Sequence, residues 1–135
     1  MQTIIIPGNP ISKKRPRFAR RGKFVQTYND QKKEESTFLS HAMQEWDNEP
    51  ISNKAISIEL RFYMKRPKSH YRTGKNAGKL KPDAPVFHAK KPDLDNMIKF
   101  VLDALNGSVW LDDSLVCSIS ALKVYDEKPR TEIVI

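Results

Sequence analysis

The chain has one cysteine, Cys117, so no intrachain disulfide can form, and cysteine usage gives no support to an exported, disulfide-stapled scaffold. No apolar run approaches the roughly 18 residues that a membrane span requires. The first residues, Met1-Gln2-Thr3-Ile4-Ile5-Ile6-Pro7, carry no basic region, and their apolar stretch stops at Pro7, short of the roughly 7 to 15 residues of a signal-peptide core. They read as a first strand, and a cytoplasmic location is expected, with no membrane partner. His70 and His88 have no companion at metal-ligand spacing, which leaves them as solvent-exposed or DNA-contacting residues. There is no internal repeat and no low-complexity tract. The 135 residues, 39% hydrophobic and 30% charged, suit one globular domain spanning 1–135.

Acidic residues are also missing from two long stretches. Residues 1–29 hold seven Lys or Arg and no acid, and residues 65–92 hold nine against Asp83 alone, giving +15 between them. The rest of the chain, with 8 basic and 15 acidic residues, carries −7, so the net +8 is strongly local. A polyanion partner leaves this footprint, because neutralising phosphates releases condensed counterions. A solvated basic loop would account for either stretch alone; two in one small domain favour nucleic acid. Lys13, Lys14, Arg15, Arg17, Arg20 and Arg21 in the first stretch, and Lys90 and Lys91 in the second, are the candidate DNA contacts. Phe18, Phe24 and Tyr28 lie among the first group, where aromatics either stack on unpaired bases or anchor the segment to the core.

The periodicities predict a small mixed β-sheet of about four strands packed with two main helices, in the order β-α-β-α-β-β, an α/β (α+β mixed) fold. Gln2–Ile6 is a strand ended by Pro7-Gly8-Asn9-Pro10, and Ile11–Thr27 is a basic loop. Residues 30–48 form a helix capped by Asp30, with Phe38, Leu39, Ala42, Met43 and Trp46 as its apolar stripe. Ala55–Met64 alternates as a strand, and 65–92, rich in Pro and Gly, reads as a long substrate-binding loop. A second helix runs from about Leu94 to Leu105, burying Leu94, Met97, Ile98, Val101, Leu102 and Leu105, with Asn106-Gly107 as its stop. Leu115–Tyr125 is apolar on both faces, as a covered central strand would be, and Thr131–Ile135 closes the chain.

Five acids fall between 93 and 113, all aspartates: Asp93, Asp95, Asp103, Asp112 and Asp113. Short hard-oxygen ligands converging from different elements suit Mg²⁺. Asp95, Lys99 and Asp103, four apart, share the helix face opposite the apolar stripe, which puts a cation one turn from a metal ligand. Spacing alone is satisfied more simply by a surface helix. Asp93 would then only cap it, Asp95 only complement its dipole, and Asp95–Lys99 form a surface pair worth about 0.3–0.5 kcal/mol.

The linked blocks Lys91-Pro92-Asp93-Leu94-Asp95-Asn96, Lys99, Leu102-Asp103-Ala104-Leu105-Asn106-Gly107 and Trp110-Leu111-Asp112-Asp113 resemble the signature of the RusA family of Holliday junction resolvases. Lys13-Lys14-Arg15-Pro16-Arg17-Phe18, with Tyr28, is similar to the basic N-terminal region of members from phages and prophages. The resemblance implies a small homodimer that binds four-way or other branched DNA and nicks two opposing strands with Mg²⁺ or Mn²⁺, without a small-molecule cofactor. By position, Asp93, Asp95 and Asp113 match the metal-site aspartates and Lys99 the essential lysine. Asp112 matches a recurrent acid and ranks below Asp113, while Asp103 is expected to be structural, paired with Lys99. One chain is expected to supply all the ligands of a site. The reaction implied is metal-assisted phosphodiester hydrolysis giving 5′-phosphate and 3′-hydroxyl ends. A less selective branched-DNA or flap nuclease, a noncatalytic DNA-binding module, and an RNA substrate are the alternatives.

Overall fold

Apolar residues at every second position make Ile56–Lys65 the spine of the fold: Ile56, Ile58, Leu60, Phe62 and Met64 are buried, and the residues between them are not. In the computed structural model, residues 1–14, 17–28 and 31–135 are described, with backbone alone at 17–19, 21, 24 and 26–28. The elements are β1 (Thr3–Pro7), β2 (Arg17–Arg21), β3 (Phe24–Tyr28), α1 (Lys32–Glu45), β4 (Ile56–Lys65), α2 (Leu94–Leu105), β5 (Val116–Asp126) and β6 (Arg130–Val134). The sheet order is β1-β6-β4-β5; β6 is antiparallel to both its neighbours and β5 is parallel to β4. The fold is therefore the mixed sheet with two helices that the periodicities predict. No helix among the described residues is long and apolar enough to cross a membrane.

Both helices cover one face of the sheet. Phe38, Ala42 and Trp46 of α1 and its end join Met97, Phe100, Val101, Ala104 and Leu105 of α2 in one buried cluster with the inward residues of β1, β4 and β6. Phe38 and Phe100 meet edge to face at 5.3 Å. The other face is polar and is tied by charge: Arg61 reaches Glu59 at 2.8 Å and Glu132 at 3.4 Å, while Arg130 bonds Glu132 at 2.7 Å, pairs with Asp126 and covers the Tyr63 ring.

Several expectations change. β5 is an edge strand, as β1 is at the other side, and not a covered central one. Alternation reports what lies above and below a strand but not what lies beside it; here α2 supplies the cover, and Cys117–Ser120 stay exposed. The basic stretch expected as a loop contains the β2–β3 hairpin, turned at Gly22-Lys23 with Gly22 at φ +61, the conformation a two-residue turn asks of its first residue. α1 is shorter than 30–48, its Met43 is exposed, and the buried face of α2 is rotated toward Phe100 and Ala104. The proposed cap Asp30 and the side chains of Phe18, Phe24 and Tyr28 lie outside the described residues.

Residues 65–92 are not structureless. They contain two 3-10 turns, Lys68–His70 and Gly74–Asn76, and a bridge between Tyr71 and Leu80. The far end is fastened to the C-terminal half of β5: His88 N–H donates to the Lys123 carbonyl at 3.0 Å, and Tyr125 N–H to the Val86 carbonyl at 2.9 Å. His70 and His88 both pack on the Tyr125 ring at 4.9 Å, and Arg66 lies 5.1 Å from its centre. The two histidines are therefore half-buried packing residues and not free surface groups.

Candidate active site and nucleic-acid surface

The segment before α2 sets where its aspartates go. Lys123 of β5 donates from its ammonium to the carbonyls of Lys90, at 2.6 Å, and Pro92, at 2.5 Å, on either side of Lys91. Asp93 follows at once as the residue before the first helical turn, with β-region backbone angles. Its side chain makes no capping hydrogen bond, so its carboxylate is exposed and uncommitted. Asp95, in the first turn, and Lys99, one turn on, are exposed, and no ion pair joins them. Of the simple surface-helix reading the cap and the pair are absent, while Asp95 does stand in the first turn, where it complements the helix dipole.

On the other side lies the first basic segment. Lys13 N–H donates to the Asn96 carbonyl at 2.9 Å, and Gln31, fully buried, accepts from Lys14 N–H at 2.7 Å and donates to the Ser12 carbonyl at 2.9 Å. These bonds bring Ser12 beside α2, where Ser12, Lys91, Pro92, Asp93 and Asn96 line an open hollow of about 460 Å³.

Asp113 is placed elsewhere. Its N–H donates to Asn106 Oδ1 at 3.0 Å, which ties it to the C-terminal end of α2, and the turn before it is held by Ile51, whose backbone exchanges hydrogen bonds with Val109 and Leu111. Asp112 is engaged within its own turn: Ser114 Oγ donates to its carboxylate at 2.7 Å, and this bond chiefly holds the Asp112 pKa below the usual carboxylate value. Among the described residues no three His, Cys, Asp or Glu side chains come together as a group able to hold a metal ion. Within one chain α2, 12 residues or about 18 Å long, lies between Asp93 and Asp95 at its start and Asp113 near its end.

The acids around α2 divide cleanly. Asp103 is bound by Lys13 at 3.1 Å, not by Lys99, and Asp112 by Ser114. The carboxylates of Asp93 and Asp95 have no hydrogen-bond or ion-pair partner among the described residues, nor has the Lys99 ammonium, whereas Asp113 meets Asp112 through its side chain and Asn106 through its N–H. Uncommitted carboxylates are hard-oxygen donors, the donor chemistry a divalent Mg²⁺ or Mn²⁺ takes, so Asp93 and Asp95 suit such an ion in kind.

The cations divide too. Lys13 is drawn in between Glu35, at 2.7 Å, and Asp103, so it is a structural tie and not a free phosphate contact. Lys14, Arg20, Lys90 and Lys91 are exposed, Lys14 with a loose 3.7 Å approach to Glu34. Arg15 and the side chains of Arg17 and Arg21 lie outside the described residues. Sequence reasoning missed Gln31 and Lys123. Gln31 left no signal, but Lys123 did, as the single charge in the alternating set Cys117, Ile119, Ala121, Lys123.

Residues 7–135 match the family model described as endodeoxyribonuclease RusA. The sequence is also similar to the uncharacterized protein YqaN of Bacillus subtilis (strain 168), 31% identical over 129 residues that cover 95% of this chain and 90% of that protein.

Proposed function

Because this chain belongs to the RusA endodeoxyribonuclease family, we propose that it resolves four-way DNA junctions as a homodimer in the cytoplasm, by paired, divalent-metal-dependent nicks that leave 5′-phosphate and 3′-hydroxyl ends. The observation that carries this reading is the division of acids around α2. Asp103 and Asp112 are committed to Lys13 and Ser114, whereas Asp93 and Asp95, with Lys99, have no partner among the described residues and Asp113 meets no cation there.

Asp93, Asp95 and Asp113 are the residues that would hold Mg²⁺ or Mn²⁺. A bound ion of that kind supplies Lewis acidity toward a phosphoryl oxygen and a more acidic water at neutral pH. Lys99 stands one turn from Asp95, suited to hold a phosphate oxygen as negative charge builds on it. Asp112 shapes the turn that presents Asp113. Lys14, Arg20, Lys90 and Lys91 offer backbone contacts, which position the duplex arms without reading their sequence.

The distance between the two ends of α2 supports the homodimer. β5 starts beside Asp113 and runs to the level of the Lys90–Asp93 segment, and its outer edge is bare over Cys117–Ser120. A second copy laid antiparallel along this edge brings its Asp113 end to the first copy's Asp93 end, and the reverse. A closed two-fold pair would then hold two equal sites, each drawing on both chains, as two symmetric cuts require.

The test is cleavage of a synthetic four-way junction, a flap and a linear duplex, each with Mg²⁺ and with EDTA. The junction is expected to be cut fastest, and only with the metal. Equal rates on all three reject junction resolution, cutting in EDTA rejects the metal, and undiminished cutting by Asp95→Asn rejects the site.

A further inference from the structure

Lys123 lies opposite Phe62 in the parallel pairing of β5 with β4, so its side chain leaves the sheet on the face that α2 covers, the face of buried Phe62 and Tyr125. A lysine on that face is out of keeping with its neighbours unless its ammonium finds acceptors. It finds two, the carbonyls of Lys90 and Pro92, while its own carbonyl takes the His88 N–H. Residues 88–92 are thus fastened to one strand residue at three points, and the next residue is Asp93.

From this geometry we infer that Lys123 is a positioning residue for the metal site: its ammonium fixes the direction in which the chain enters α2, and with it where the Asp93 carboxylate stands. This rests on Asp93 being a metal ligand, as proposed above. An ammonium suits the task because it is a compact charge with three donors on a long stem, able to bridge from a strand to two carbonyls on one connecting segment. Without it both carbonyls turn to water, the Lys90–Pro92 segment gains freedom, and the ligand loses its preset place. Groups that orient metal ligands typically change metal affinity by about 10- to 100-fold when removed.

The test uses the full chain with Mn²⁺ as probe, comparing wild type, Lys123→Met and Lys123→Arg. Mn²⁺ affinity is measured by calorimetry, and hydrogen exchange is followed by mass spectrometry on metal-free protein. The expected result for Lys123→Met is Mn²⁺ binding weaker by about tenfold or more, with faster exchange confined to the peptide spanning 88–96. Lys123→Arg, which keeps donors on a long stem, is expected to recover most of both. Equal Mn²⁺ affinity in wild type and Lys123→Met overturns the inference while leaving the site reading intact. Exchange raised across the whole chain, and not corrected by Lys123→Arg, overturns it in favour of a general folding role. A wild-type chain that takes up no Mn²⁺ overturns the site reading itself, and the inference with it.

Discussion

The Lys13 ammonium stands 3.1 Å from the Asp103 carboxylate and 2.7 Å from that of Glu35, which binds the start of the basic segment to both helices at once. The side chain of Lys13 keeps only 16% of its exposure. Burial works against its charge, but the hydrogen bonds to Glu35 and Asp103 outweigh this and hold its pKa above the ordinary lysine value of 10.5. Such a half-sheltered triad stabilises more than a surface pair does. Lys13→Met is therefore expected to lower stability by about 1–2 kcal/mol, and Tm by about 4–7 °C. Because the folded pKa is raised, the contribution is whole below the unfolded value and is lost as pH rises through the folded one. Thermal denaturation of Lys13→Met, Asp103→Asn and the double variant checks this; additive losses would show the two residues uncoupled.

The ring cluster on Tyr125 gives the 65–92 segment a pH dependence of the opposite sign. Burial chiefly lowers the pKa of His70, helped by Arg66, Lys90 and Lys81 and opposed by Asp83. His88 is lowered by burial first and then by Lys123 and Lys90, against hydrogen bonds at the backbone of His88 and Lys90. Both are held neutral on the ring, so the unfolded chain binds more protons than the folded one once pH drops below about 6.5. Docking of the segment is expected to be firm at pH 7.5 and to weaken as pH falls through 6.5 and on through the lowered folded values. Exchange protection at the Tyr125 and His88 amides reads this directly. A His70→Phe, His88→Phe double variant should lose the pH dependence, and its persistence there would assign the effect to other groups.

What the sequence told, and what it hid, follows the physics of each element. α2 was legible to its boundaries, Leu94–Leu105, because apolar residues three and four apart specify a helix and Asn106-Gly107 stop it. The lateral place of β5 was not, since alternation says nothing of edge neighbours. The Asp93, Asp95, Lys99 and Asp113 pattern marked the candidate residues, but their separation along α2 depends on the turn that Asn106 and Ile51 fix, which no spacing rule contains. Lys13 shows the limit of charge counting: a cation in a basic run reads as solvent-facing until two acids from distant segments close on it.

The bare edge of β5 makes a separate claim about assembly. Ile119, 39% exposed, sits in the middle of the uncovered stretch Cys117–Ser120. Placing a charge there blunts an edge against strand pairing and costs the monomer little. Ile119→Lys is expected to sediment as a monomer with an unchanged circular dichroism spectrum, and to lose junction cleavage. A variant that stays dimeric would move the interface to another surface.

Sites that draw on both copies can be told from self-contained ones by mixing two dead enzymes. Asp95→Asn and Asp113→Asn are each expected to lose cleavage by more than about 100-fold, because each removes a charge that nothing else supplies. In a mixed dimer of the two, a site built from both chains finds one of its two copies wholly intact: the Asp95 of the Asp113→Asn chain meets the Asp113 of the Asp95→Asn chain. Random mixing makes about half the dimers mixed, each with one working site, so about a quarter of wild-type nicking should return, as single nicks and not paired cuts. If each chain housed its own site, every site in the mixture would carry one defect and no activity would return. Gel analysis of a junction labelled on each strand in turn, after the two variants are unfolded and refolded together, separates the two arrangements in one experiment.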